Sequence, residues 1–232
     1  MVVVEAQETK VPAHHLTGSQ LTISAGNRPL LQGLDFHVTT GEIIGLWGVS
    51  GCGKSTLLRS IAGLQPLLKG SIELDTQIPD AIGWPTYRQM VRYIMQRPAF
   101  SSETVEHHLT HMFSFDSVTM TYGEARSTAL SLMARAGLST DQLHEKASNL
   151  SEGEQQRFNL IRGLLTEPCF LLLDEPTSSL DPESAEAVEA IILDGAARDQ
   201  WGGLWVSHDR VQLERVCDRV IELAHFCLGG NT

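Results

Sequence analysis

Gly48-Val49-Ser50-Gly51-Cys52-Gly53-Lys54-Ser55 sets three glycines, a lysine and a hydroxyl in the order G-x-x-x-x-G-K-S. Glycines there let backbone N–H groups turn inward around phosphate oxygens, and a helix opening at the lysine adds the positive end of its dipole. The Lys54 ammonium reaches β- and γ-phosphates, and the Ser55 hydroxyl can ligate Mg²⁺. The candidate binding set of this loop is Gly48, Ser50, Gly51, Cys52, Gly53, Lys54, Ser55 and Thr56. A second group lies far downstream. Phe170-Leu171-Leu172-Leu173-Asp174-Glu175 is an apolar run that ends in two carboxylates. Asp174 suits Mg²⁺, directly or through water. Glu175 is one residue further and suited to take a proton from an attacking water.

These groups need a scaffold that brings them together. Ile43 to Trp47 is a short apolar run before the glycines and reads as a buried strand. Ser55 to Ala62 reads as a helix with Gly63 as its stop. Leu21 to Val38 alternates around a turn at Gly26-Asn27-Arg28-Pro29. Gly70 to Asp75, Val91 to Met95, Phe170 to Leu173, Leu204 to Ser207 and Arg219 to Leu223 read as further strands. Pro182 to Ala197 reads as a helix, with Asp181 as N-cap and Pro182 at its first position. Residues 103–148 read as helical. Strands alternating with helices predict an α/β fold with a mainly parallel core sheet, an antiparallel β edge and a separate helical lobe. In a parallel sheet, the acidic end of the Phe170 strand would lie beside the phosphate loop. Residues 1–19 read as a lead-in and 20–228 as one domain, with the lobe at about 97–150.

The 232 residues suffice to bury a core without disulfides or a structural metal. The net charge of −11 makes the chain a poor default binder of nucleic acid, which favours a basic face. Cys52, Cys169, Cys217 and Cys227 form no C-x-x-C pair, and a reducing compartment suits them. No apolar run approaches the ~18 residues of a membrane span. A membrane role would therefore work through a partner chain.

Leu150-Ser151-Glu152-Gly153-Glu154-Gln155-Gln156-Arg157 narrows the class. It resembles the L-S-G-G-Q signature and helix of the ATP-binding cassette (ABC) family, and it precedes the acidic strand as in that family. Gln96 in Met95-Gln96-Arg97-Pro98 matches the family's glutamine loop. Ser179-Leu180-Asp181 matches the loop after the acidic strand, and His208 in Val206-Ser207-His208-Asp209 matches the switch histidine. The likeness covers roughly residues 21–223.

The resemblance implies a P-loop NTPase cassette that binds ATP and Mg²⁺ and pairs head to tail with a second cassette. Ser151 and Gly153 would contact the γ-phosphate of the partner's ATP, with Asp181 beside it. Glu175 would polarise the attacking water, Gln96 would sense Mg²⁺ and water, and His208 would contact the γ-phosphate. Ser55, Gln96 and Asp174 would hold the metal. The cycle would power a separate transmembrane permease from the inner face of the cell membrane. Tyr87-Arg88-x-x-Val91-x-Tyr93-x-x-Gln96-x-Pro98 followed by Glu103-Thr104-Val105 resembles, more weakly, the iron-export ATPase group. Two other classes stay open: a soluble cassette of the iron–sulfur assembly type, and a nucleotide-binding regulatory cassette with weak hydrolysis.

The chain departs from the family in two places. Glu152 and Glu154 stand where the signature has glycine and glutamine. Ser151-x-x-Glu154 is a capping box, so Glu154 suits the helix start. Glu152 falls in the first turn, which favours an acid, and we expect it to face solvent. Ala25 stands where the family stacks an aromatic on adenine. Cys52 is read as a small loop residue, or as a thiol activated by Lys54 and the helix end.

Overall fold

The computed structural model describes residues 13–228 except 27, 112–120 and 199. The chain opens with strands β1 (His15–Ala25), β2 (Arg28–Thr39) and β3 (Ile43–Trp47), and helix α1 (Lys54–Ile61). Next come β4 (Lys69–Leu74), α2 (Pro79–Ile82), α3 (Trp84–Met90) and β5 (Val91–Ile94). The helical segment holds α4 (Val105–Thr110) and α5 (Tyr122–Arg135), then two 3₁₀ turns at Thr140–His144 and Ala147–Asn149. It is followed by α6 (Glu152–Leu164), β6 (Phe170–Asp174), α7 (Pro182–Ala197), β7 (Gly202–Val206), α8 (Arg210–Val216) and β8 (Arg219–Glu222).

Five strands form a parallel sheet in the order β5-β6-β7-β3-β8. The near-continuous apolar sequence of the inner strands β3, β6 and β7 follows from burial on both faces. Alternate residues divide between two cores, as the two-residue period of a strand requires. Ile43, Leu171, Leu173 and Trp205 face α6 and α7, where they meet Phe158, Ile161, Ile191 and Ile192. Ile44, Leu46, Phe170, Leu172, Leu204 and Val206 face α1 and the antiparallel sheet, where they meet Leu57, Leu58, Ile61 and Leu16. That second sheet has the order β2-β1-β4. Truncating a fully buried leucine such as Leu172 to alanine costs about 2–5 kcal/mol at such sites.

The lead-in expected over 1–19 is too long. β1 already runs from His15, and residues 1–12 lie outside the described residues. The register of β1 against β2 shifts between Gly18 and Leu21, and Gln20 adopts φ +50. A bulge of this kind breaks the two-residue alternation that would mark the strand. The segment expected to be helical over 103–148 holds only α4, α5 and 3₁₀ turns among its described residues. Thr104 and Lys146 bridge its two ends. Asn27 of the expected hairpin turn lies outside the described residues.

Candidate active site

The phosphate loop joins β3 to α1. Gly51 has φ +78 and Gly53, the N-cap of α1, has φ +102, a region that L side chains avoid. Nothing lies within 4 Å of where a Cβ on Gly51 would sit, so the loop is open on its concave side. The Lys54 ammonium spans this opening and donates to the Gly48 and Val49 carbonyls at 2.7 and 3.3 Å. Cys52 is buried, its Sγ packed against Gly48. A reactive thiol needs exposure, so the small-loop-residue reading of Cys52 holds.

Asp174 comes from the C-terminal end of β6 and is buried. The Ser55 hydroxyl donates to Asp174 Oδ1 at 2.9 Å, and the Tyr93 hydroxyl donates to Asp174 Oδ2 at 2.7 Å. β7 lies between β3 and β6, so the two sequence motifs meet across one intervening strand. Glu175 follows with φ +51, a strained value for a non-glycine residue. Its N–H donates to the Val206 carbonyl at 3.1 Å. His208 Nδ1 lies 2.5 Å from Glu175 Oε1. Burial raises the Glu175 carboxyl above the ordinary range, while His208 and Lys54 pull it down. The net direction is upward.

Gln96 follows β5, and its side-chain amide donates to Ser178 Oγ at 3.3 Å. A cleft of about 600 Å³ collects Ser50, Gly51, Gly53, Lys54, Ser55, Thr56, Gln96, Glu175 and His208 with Val206, Ala25 and Leu30. Ser151, Gly153 and Asp181 do not line it. Ser151 caps α6 in the expected box: its hydroxyl accepts from the Glu154 N–H, and the Glu154 carboxylate accepts from the Ser151 N–H at 2.8 Å. The Ser151 hydroxyl also donates to the Glu154 carboxylate at 2.7 Å, and that bond, with the one from the Ser151 N–H, holds the Glu154 carboxyl below the usual range. The Asp181 carboxylate accepts from the Ser184 N–H at 3.0 Å and caps α7.

Glu152 is exposed, as expected, yet it is not idle. Its Oε1 accepts from the Ser179 hydroxyl at 3.1 Å and lies 3.4 Å from the Arg97 Nε.

Sequence reasoning missed Tyr93 and Gln156. Gln156 is buried on α6 and donates to the Glu175 carbonyl at 2.7 Å and the Gln96 carbonyl at 3.4 Å. Its own oxygen accepts from the Ser179 N–H at 3.3 Å. One amide thus ties α6 to two loops, the one after β5 and the one after β6. Gln156 and Asn159 are both buried amides at i, i+3, which put polar groups on one side of the helix. That repeat was a readable signal. For Tyr93 no local signal exists.

The donor set fits a nucleotide with Mg²⁺. The open loop presents backbone N–H groups and a lysine, and the hydroxyl and carboxylate of Ser55 and Asp174 are hard oxygen ligands. A parallel sheet with this loop after one strand and a carboxylate at the tip of another defines a P-loop nucleotide-binding fold.

The chain belongs to the ABC transporter family, whose model matches residues 31–178. It is 33% identical over 210 residues to a phosphate import ATP-binding protein of Aliivibrio fischeri, covering 86% of this chain and 76% of that one. It is 34% identical over 202 residues to a lipoprotein-releasing system ATP-binding protein of Pseudomonas fluorescens, covering 84% and 86%. A methionine import ATP-binding protein of Brucella abortus is 32% identical over 204 residues, and this chain spans about half its length, 54%. Among solved structures, an ATP-binding subunit of an ABC transporter superposes with a TM-score of 0.81 at 28% identity, over 90% of this chain and 85% of that one. A dimeric ATP-binding cassette in a post-hydrolysis state, bound to ADP and Pi, gives 0.78 at 25% identity over 90% and 94%. The chain is an ATP-binding and ATP-hydrolysing cassette of this family.

Proposed function

We propose that the cleft between the phosphate loop, Glu175 and His208 is where the chain converts ATP and water to ADP and phosphate. The observation that carries this is the meeting of Ser55, Asp174, Glu175, Gln96 and His208 around one loop, from four distant stretches of sequence. Lys54 exchanges its two carbonyl partners for β- and γ-phosphate oxygens. Ser55 and Asp174, with Gln96, would hold Mg²⁺, which supplies charge neutralisation on the phosphates. Glu175 takes the proton of the attacking water, and its raised carboxyl improves it as a base near neutrality. His208, on the Glu175 carboxylate, is placed to pass between that group and the γ-phosphate.

The cleft lacks Ser151 and Gly153 of its own chain. Our reading is that a second copy supplies them, presenting the N-terminus of its α6 to the γ-phosphate. Dimer closure on ATP would then drive a membrane permease, with the cassette held at the inner face of the cell membrane. No helix among the described residues is long and apolar enough to cross a membrane. The relatives named above serve phosphate import, methionine import and lipoprotein release. Cargo choice accordingly belongs to the permease in this proposal.

The test compares the parent chain with Lys54→Ala and Glu175→Gln. Lys54→Ala should weaken ATP binding and abolish turnover. Glu175→Gln should keep binding, lose at least about 100-fold in rate as general bases do, and form an ATP-dependent dimer by light scattering. Parent-like turnover in either variant would refute the assigned role.

A further inference from the structure

Asp174 sits between two hydroxyl donors on different elements. Ser55 from α1 holds Oδ1 at 2.9 Å, and Tyr93 from β5 holds Oδ2 at 2.7 Å. The direction of the second bond follows from its other neighbour. Arg59 Nε donates to the Tyr93 oxygen at 3.3 Å, and a guanidinium has no acceptor. The single phenol proton is therefore committed to the carboxylate. Arg59 lies four residues after Ser55 on α1, so the same helix supports both sides of Asp174.

We propose that Tyr93 is a positioning residue for Asp174 and thereby sets the cation requirement of the reaction. With Oδ2 held by the phenol, the carboxylate plane is fixed and Oδ1 stays turned to Ser55, the other oxygen ligand. Without the hydroxyl, Asp174 is free to rotate about its side-chain bonds, and ordering it falls on the cation. Tyr93 also stands three residues before Gln96 in the chain. One strand therefore fixes the carboxylate and leads into the glutamine loop. This inference rests on the Mg²⁺–ATP reading given above.

The test uses Tyr93→Phe, which keeps the ring and removes only the hydroxyl. Both the parent and the variant carry Glu175→Gln, so nucleotide is bound without turnover. A fluorescent ATP analogue is titrated with Mg²⁺ and, separately, in EDTA. The Mg²⁺ concentration for half-saturation should rise about tenfold, and affinity in EDTA should stay within twofold. Adding Tyr93→Phe to an Asp174→Asn chain should cause no further shift, because the hydroxyl acts through that carboxylate. A half-saturation within twofold of the parent overturns the inference. So does an equal loss of affinity in EDTA, which marks a merely structural role, or a full further shift on top of Asp174→Asn. If the parent itself shows no Mg²⁺ dependence, the Mg²⁺–ATP reading fails instead.

Discussion

The Glu152 carboxylate accepts a hydrogen bond from the Ser179 hydroxyl at 3.1 Å. An acid at a position where the family signature has glycine is thus tied to the loop that follows β6. Arg97, one residue after Gln96, approaches the same oxygen. The first turn of α6 is therefore linked by one side chain to two loops around the cleft.

That geometry sets an expectation for Glu152→Gly. Two like charges ~4 Å apart in water repel by about 1 kcal/mol. The α6 dipole offsets about 0.3–1 kcal/mol of that. Arg97 removes more, although an exposed pair is worth only about 0–1 kcal/mol. We expect ATP-driven dimerisation to change by less than about tenfold, equivalent to ~1.4 kcal/mol. Sedimentation with Glu175→Gln as the background measures this. A gain well beyond tenfold would show that Glu152 turns toward ATP and opposes closure.

Gln156→Ala should destabilise the free cassette. It removes a buried amide, leaves the Gln96 carbonyl and the Ser179 N–H short of a partner, and takes one of three donors from the Glu175 carbonyl. Lost bonds of this kind cost about 1–3 kcal/mol. For a chain of this size, each kcal/mol lowers Tm by about 2–4 °C. Thermal unfolding without nucleotide should show that fall, and ATP turnover should drop with it. An unchanged Tm would mean that the amide does not hold these loops in solution.

The Glu175 carboxyl gives a pH dependence with two signs. Burial is the larger influence and raises it, against His208 and Lys54. With Glu175 as the proposed base, turnover needs its carboxylate, so the acid limb of the rate profile should lie above the ordinary glutamate value of about 4.3. His208→Ala removes one lowering influence, so in its residual activity the limb should move to still higher pH. For stability, the folded chain binds this proton more tightly than the unfolded chain. The contribution is full below the unfolded value and is lost as pH rises through the folded one. Glu175→Gln should therefore melt above the parent at pH 8, with the gap narrowing toward acid. Equal melting of the two chains at every pH would contradict a raised Glu175.

Local chemistry was legible in the sequence, and long-range side-chain contacts were not. β3 was readable because four buried residues and a half-buried tryptophan in a row need no partner to announce them. α7 was readable because Asp181 and Pro182 mark its start, and Asp181 does cap it. The phosphate loop, the Asp174–Glu175 pair, Gln96 and His208 could be placed by motif, and the fold brings them to one cleft. α2 and α3 went unread because Pro79, Gly83 and Pro85 look like breakers, whereas the prolines occupy first turns, where a missing N–H costs nothing. α8 is too short for its periodicity to stand out. The Tyr93–Asp174 bond joins residues 81 apart. It depends on β5 and β6 pairing in register, which no window of sequence contains.

The place of β7 between β3 and β6 has a mechanical consequence. Two inter-strand steps of about 4.8 Å separate the strands that carry the phosphate loop and Asp174. Those steps are fixed by the hydrogen-bond ladders on both sides of β7, so the sheet acts as a gauge block with one permitted width. Neither β3 nor β6 can move relative to the other without shearing a ladder. Adjustment during a cycle is left to what projects past the strand ends: the Gln96 loop beyond β5 and the His208 loop beyond β7. In the proposed cycle the sheet would be the rigid jaw, and the Gln96 and His208 loops the fingers that adjust to what it grips.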